Sequence, residues 1–252
     1  MKKPVALQLY TLRHEAEKDF EGTLRLVAEI GFKGVEFAGL HGRDPKEVAS
    51  LLDSLGLQVC SNHSPLPTKE NISQIVDTES ILKNTRLITC FLPDDLKSVD
   101  GCKKAAEQIN AAAELLAPHG MTLGYHNHWW EFDKVENGRY PYDILMAESP
   151  ALFGELDIYW VAYSHINPTS MVSRYKSRLP LLHVKDGLLE KDGPHLPLGS
   201  GLLKIPEILN AADPDVLKWF IVELDDYEGF MPDAVRESYK YMVENDFAEG
   251  SR

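Results

Sequence analysis

Eight apolar runs of strand length recur along this chain, at 5–10, 34–37, 57–62, 86–91, 121–126, 153–157, 181–185 and 219–224. Most intervals between them carry the period of an amphipathic helix. In 19–30, Phe20, Leu24, Val27, Ala28 and Ile30 form one stripe, and Gly31 follows where a helix ends. In 45–55, Pro45 takes a first helical position, Val48, Leu51, Leu52 and Leu55 form the stripe, and Gly56 closes it. Residues 98–117 read as a long alanine-rich helix, 68–83 and 232–245 as two more, and a short one is expected after Asn167-Pro168. Alternating strands and helices call for a parallel sheet with right-handed crossovers. Eight repeats make a closed (β/α)8 TIM barrel the leading α/β architecture, with an open doubly wound sheet as its rival. No glycine-rich phosphate loop follows the first run, which weakens that rival.

The 252 residues fit one such barrel, 1–252, and no linker or low-complexity stretch divides them. Lys and Arg number 26 against 39 Asp and Glu, a net charge of −13 that disfavours a nucleic-acid partner. No run approaches the roughly 18 apolar residues of a membrane span, and the first segment reads as a strand rather than a signal peptide. Cys60, Cys90 and Cys102 share no metal spacing; Cys60 and Cys90 lie in apolar runs and read as buried thiols of a cytoplasmic protein. A homo-oligomer is compatible with such a barrel, but no exposed apolar stripe demonstrates one.

Parallel strands project their C-terminal ends to one face, so residues far apart in sequence meet there. The late strands end on potential ligands: His126 with Glu131 close behind, Asp157, His183 and Glu223. Carboxylates at the ends of apolar runs need a partner, and a mixed imidazole and oxygen shell suits one divalent ion: Mn2+, Mg2+, Co2+ or Zn2+. Either His126 or Glu131 completes the shell; Glu131 is favoured, with Asp157, His183 and Glu223, and three carboxylates with one histidine favour Mn2+. Glu223 or His126 is then the catalytic base. Lys185, two residues beyond His183, is placed to hold an oxyanion or to pair with an acid. His63, Asn127, His128 and Trp160 are expected around the substrate, with Trp129 and Trp130 as further walls; Glu36 and Asp186 face the same end. Asp225 and Asp226 read as solvated loop residues. The glycine- and proline-rich stretch 186–204 reads as a loop over the pocket mouth.

The ordered motifs LQLYTLR, GFKGVEFAG, HNHWWEF, LDIYW, LLHVKDG, LPLGSG and IVELD resemble the xylose isomerase-like barrel superfamily of sugar phosphate isomerases/epimerases, over essentially the whole chain. The resemblance implies a metal site at Asp157, His183 and Glu223 and an isomerase or epimerase acting through a metal-stabilised enediolate. Two positions depart from the keto-sugar epimerases: His126 replaces their fifth-strand glutamate, and Trp160 their histidine after the sixth-strand aspartate. The His-Asn-His-x-x-Glu-Phe run looks more like a subgroup with dehydratases and lyases of keto-inositols and keto-sugars, so a lyase of a keto-sugar, keto-inositol or 3-keto-glycoside is the alternative. An endonuclease IV-like repair enzyme and a non-catalytic sugar-binding barrel stand further off; the first lacks the extra histidines that enzyme needs.

Overall fold

The computed structural model describes residues 2–136, 138–190 and 193–251. Eight strands form the barrel: β1 (Lys3–Gln8), β2 (Gly34–Phe37), β3 (Gln58–His63), β4 (Arg86–Thr89), β5 (Thr122–His126), β6 (Phe153–Asp157), β7 (Leu181–Val184) and β8 (Trp219–Val222). Each pairs in parallel with the next in the chain, and β1 closes the ring on β8 with Val5 opposite Phe220 and Leu7 opposite Val222. All eight apolar runs are therefore barrel staves, with strand ends within two residues of the run ends.

Local chemistry explains the helices. The helix α1 (Phe20–Ile30) is capped by Asp19, whose side chain accepts the Gly22 N–H at 2.9 Å, and ends on Gly31 at φ 119°. In α2 (Pro45–Leu55), Asp44 accepts from Lys46 N at 2.8 Å, Pro45 occupies the first turn, and Gly56 at φ 69° ends it. The third, α3, is shorter than its sequence pattern, Ile72–Ile81, because Thr68 and Asn71 hydrogen-bond each other in a turn before it. The alanine-rich α4 spans Val99–Leu116. Several helices lack a strong sequence stripe and escape a periodicity reading, among them α5 (Pro141–Glu148) and the short α6 (Ile158–Tyr163). The helix after Asn167-Pro168 is α7 (Pro168–Tyr175), with Asn167 accepting from Ser170 N. A last helix, α8 (Met231–Glu244), packs on the outer wall.

Most buried apolar side chains lie between strands and helices, while a separate small cluster of Ala6, Cys60, Ile88, Leu181, Trp219 and Ile221 plugs the barrel interior with Phe153. Leu181, Trp219 and Phe153 begin their strands, so this plug fills the N-terminal end and leaves the C-terminal end to polar residues. Cys60 is buried as expected. Cys90 is not: it follows β4 and is exposed at the mouth. Among the described residues no helix is long and apolar enough to cross a membrane.

Candidate active site

Period-two alternation turns Glu155 and Asp157 of β6, His183 of β7 with Lys185 just beyond it, and Glu223 beyond β8 into the same interior. Above the apolar plug they form a continuous buried network. Glu36 accepts from Gln8 Nε2 at 2.7 Å and Ser61 Oγ at 2.5 Å, and pairs with His183 Nε2 at 2.6 Å. The other His183 nitrogen, Nδ1, meets Glu223 Oε2 at 2.7 Å. His63 Nε2 meets Glu155 Oε2 at 2.9 Å, and His126 Nδ1 approaches the same oxygen at 3.4 Å.

The donors fall into two overlapping groups, each with ligand atoms within 4.8 Å of one another: His126, Asp157, His183 and Glu223, and below them His63, His126, Glu155 and His183. Three of the four expected ligands thus converge, joined by His126. Glu131 stands apart. It lies on a 3-10 turn after β5, fully buried, where Oε1 accepts from Tyr125 Oη and Oε2 from His128 N, each at 2.8 Å. Both its oxygens are spent on the chain itself, so the structure places it as a brace for the β5 end rather than against the other ligands.

Asp157 caps α6: Oδ1 accepts from Tyr159 N at 2.9 Å and Trp160 N at 3.1 Å. Its backbone is clamped by Asn127, whose Oδ1 accepts the Asp157 N–H at 3.0 Å and whose Nδ2 donates to the Asp157 carbonyl. Asn127 is fully buried and absent from the pocket wall, so it positions Asp157 instead of facing substrate. Lys185 is likewise absent from the wall and lies buried just behind it, 1% exposed, with Nζ 3.0 Å from Asp157 Oδ2, 2.8 Å from Glu223 Oε2 and 2.9 Å from Asp225 Oδ2. Asp225 is therefore half-buried and ion-paired, not a solvated loop residue, whereas Asp226 is exposed. Parity reaches both Glu155, two residues before Asp157 on β6, and Asp225, two residues after Glu223 beyond the end of β8. Asp186 serves the loop: its carboxylate accepts the backbone N–H groups of Gly187, Gly199, Gly201 and Leu203 at 2.9–3.1 Å.

Above the network opens a cavity of about 440 Å3. Its wall includes His63, His126, His128, Trp129, Trp130, Trp160 and Glu223. Trp129 packs at a tilt against Trp160 at 4.9 Å between ring centres, and His128 lies flat on Trp130 at 4.1 Å. His195, from a short antiparallel ribbon of Asp186–Gly187 with His195–Leu196, packs on Trp160 at 5.5 Å, so the loop touches the cavity wall through that ring. Lys191 and Asp192 of that loop lie outside the described residues.

Charge in the network is sorted by environment. Burial pushes Asp157 up, partly offset by Lys185, and pushes Glu155 up with help from Glu36. Burial opposes ionisation of Glu223, but Lys185 and His183 outweigh it and hold the carboxyl well below its usual range. His63 resists burial through Glu36 and Glu155 and is raised to about 10. Burial lowers His128 to about 3 and drives His126 well down, aided by His183, so both are neutral. Glu131 is raised to about 8 by burial, against the hydrogen bonds it accepts.

A family model described as a xylose isomerase-like TIM barrel matches residues 24–245. An inosose dehydratase of Clostridium beijerinckii is 22% identical over 199 residues, and one of Clostridium botulinum 21%. Each match takes in 68% of this chain and 64% of the relative, so the chain spans less than two thirds of those proteins' length. A sugar phosphate isomerase/epimerase structure from Parabacteroides distasonis superposes with a TM-score of 0.83 at 25% identity, covering 99% of this chain and 96% of that one. A second structure from the same organism gives 0.83 at 22%, covering 98% and 100%.

Proposed function

The chain belongs to the xylose isomerase-like TIM-barrel family, and from that premise we propose a metal-dependent isomerase or epimerase of a small sugar, keto-sugar or polyol derivative. The observation that carries the reading is the convergence of His126, Asp157, His183 and Glu223 beneath an aromatic-walled cavity. Their chemistry fits a cation. Asp157 Oδ2 and His126 Nδ1 are buried without a directed hydrogen bond, and two carboxylates with two imidazoles make a complete mixed shell. With His126 in place of Glu131, the donor set moves from Mn2+ towards Zn2+ or Co2+, with Mn2+ still in range. When bound, such an ion polarises a sugar carbonyl and acidifies the neighbouring C–H.

The chain's own groups do the rest. Glu223 reaches the cavity wall as a carboxylate, the form that can accept the proton. Before an ion enters, Lys185 pairs with the Glu223 carboxylate from behind at 2.8 Å and balances its charge. His63, on the same wall and held protonated, is the acid that donates to a substrate oxygen. Trp129, Trp130 and Trp160 offer flat apolar surfaces to a sugar ring and exclude water. Return of the proton to carbon gives the isomer or epimer; loss of a leaving group from the neighbouring carbon gives dehydration or elimination. That second reading is favoured by the dehydratase names of the curated relatives and by His126, which denies the fifth strand a second glutamate base.

Keto-sugars and keto-inositols incubated in deuterated water with metal-loaded protein separate the outcomes by NMR. Deuterium beside the carbonyl without loss of water or fragments supports the isomerase, and unsaturated products move the assignment to the lyase. Glu223→Gln should lower turnover by at least about 1,000-fold, within the range for a general base that also orders its neighbours. Full activity in that variant removes Glu223 from the mechanism.

A further inference from the structure

The ligand set already faces a cation of the chain's own. Asp157 spends Oδ1 on two backbone N–H groups, so Oδ2 is the atom left to offer a metal, and Lys185 Nζ stands 3.0 Å from it. The same ammonium lies 2.8 Å from Glu223 Oε2. Its third partner is different. Asp225 is not among the converging ligands; it is 31% exposed in its side chain, lines the cavity and lies 2.9 Å from Nζ.

We propose that Lys185 is a built-in counter-ion that balances Asp157 and Glu223 while the metal is away and passes to Asp225 when a divalent ion enters. The inference rests on the metal-dependent reading above. An ammonium and a divalent ion that share carboxylate oxygens in a buried site repel strongly, because little water screens them. Without either cation, the buried carboxylates of Asp157 and Glu223 would stand uncompensated, which is strongly destabilising. Asp225 resolves the conflict: it keeps the buried ammonium paired after its other partners turn to the metal. Lys185 is thus a positioning residue that sets metal affinity, and the two ends of its ion pair act in opposite directions. Removing the ammonium removes a competitor. Removing the Asp225 charge leaves Lys185 only the ligands to hold, so it competes harder.

The test titrates chelator-stripped wild type, Lys185→Met and Asp225→Asn with Mn2+ alone, following free Mn2+ by electron paramagnetic resonance and heat by calorimetry. Lys185→Met should bind at least about 10-fold tighter and Asp225→Asn at least about 3-fold weaker, comparable to outer-shell effects on metal affinity. Stripped Lys185→Met should also melt below stripped wild type, with the gap closing when Mn2+ is added. Wild type that binds Mn2+ beside a Lys185→Met that binds no tighter overturns the inference and leaves the metal-dependent reading standing. Binding by none of the three proteins overturns that reading and the inference with it. Should Lys185→Met fail to fold even with Mn2+, the half-exposed Asp225→Asn decides: unchanged or tighter binding there overturns the proposal.

Discussion

At the scale of single residues, His126 and Glu131 divide the work of the β5 end. His126 is the last residue of the strand and projects into the barrel, while the chain turns at 130–132 and brings Glu131 back beneath Tyr125. Sequence spacing alone leaves both within reach of the metal, and a carboxylate looks the better ligand. The deciding fact is the turn, which supplies Glu131 with two donors that no motif announces. Glu131→Gln should therefore keep Mn2+ or Zn2+ affinity within about 3-fold, whereas His126→Ala should lose more than about 100-fold, beyond what outer-shell changes produce. Isothermal titration with each ion checks both values; a Glu131→Gln protein that loses the metal would return Glu131 to the shell. Asp157, His183 and Glu223 were readable because each polar group terminates or interrupts an apolar run, where burial without a partner is unfavourable. Glu155 carries a weaker signal, because it sits within the strand, two residues below the acid that ends it.

At the scale of elements, the loop after β7 is held by buried polar groups rather than by regular structure. Asp186 gathers backbone donors from Gly187 to Leu203, and a Cβ on Gly201 would collide with the Asp186 carboxylate and the Gly187 nitrogen. Gly201→Ala should consequently loosen the loop and weaken substrate binding more than it lowers the melting temperature, a contrast read from KM beside a thermal scan. His195 anchors the other end: it is buried, and its Nδ1 accepts the Asp225 N–H at 2.9 Å. Burial, then Lys185, lower it from 6.5 to about 3. A folded pKa below the unfolded one means the unfolded chain takes up the proton first as the pH falls. The stability from neutral His195 is therefore fully present above the unfolded value and is lost progressively between about 6.5 and about 3. Relative to His195→Asn, wild type should lose up to about 1.4 kcal/mol per pH unit below pH 6.5, measured by urea unfolding at pH 7, 6 and 5. A constant difference would mean the imidazole is not buried neutral. The loop itself was legible in its glycines and prolines; its fastening was not, because Asp186 acts on backbone N–H groups that carry no sequence signature.

At the scale of the whole molecule, the barrel itself was the most legible feature, since closure needs only eight staves with an alternating pattern, and β1 pairs with β8 as that count requires. The short α6 was invisible because a capped helix of 6 residues is too short to show a period. Charge carries a further consequence beyond the fold. The molecule bears −13, and the cavity wall presents Glu223 and Asp225 with no Lys or Arg among its described residues. Lys185 lies close behind but is committed to three carboxylates. A phosphate ester would approach a negative body and find on the wall no Lys or Arg, only a His63 whose charge Glu36 and Glu155 already balance, so it would gain few of the charge-assisted hydrogen bonds that normally hold phosphate. Neutral keto-sugars should bind more tightly than their phosphate esters in direct competition against the same metal-loaded protein. Part of that gap is long-range repulsion, which salt screens over about 10 Å at 0.1 M, so it should narrow as salt rises from low ionic strength. A phosphorylated sugar that binds more tightly than its neutral parent at every salt concentration would mean that the bound ion, rather than the charge of the wall, governs which substrate enters.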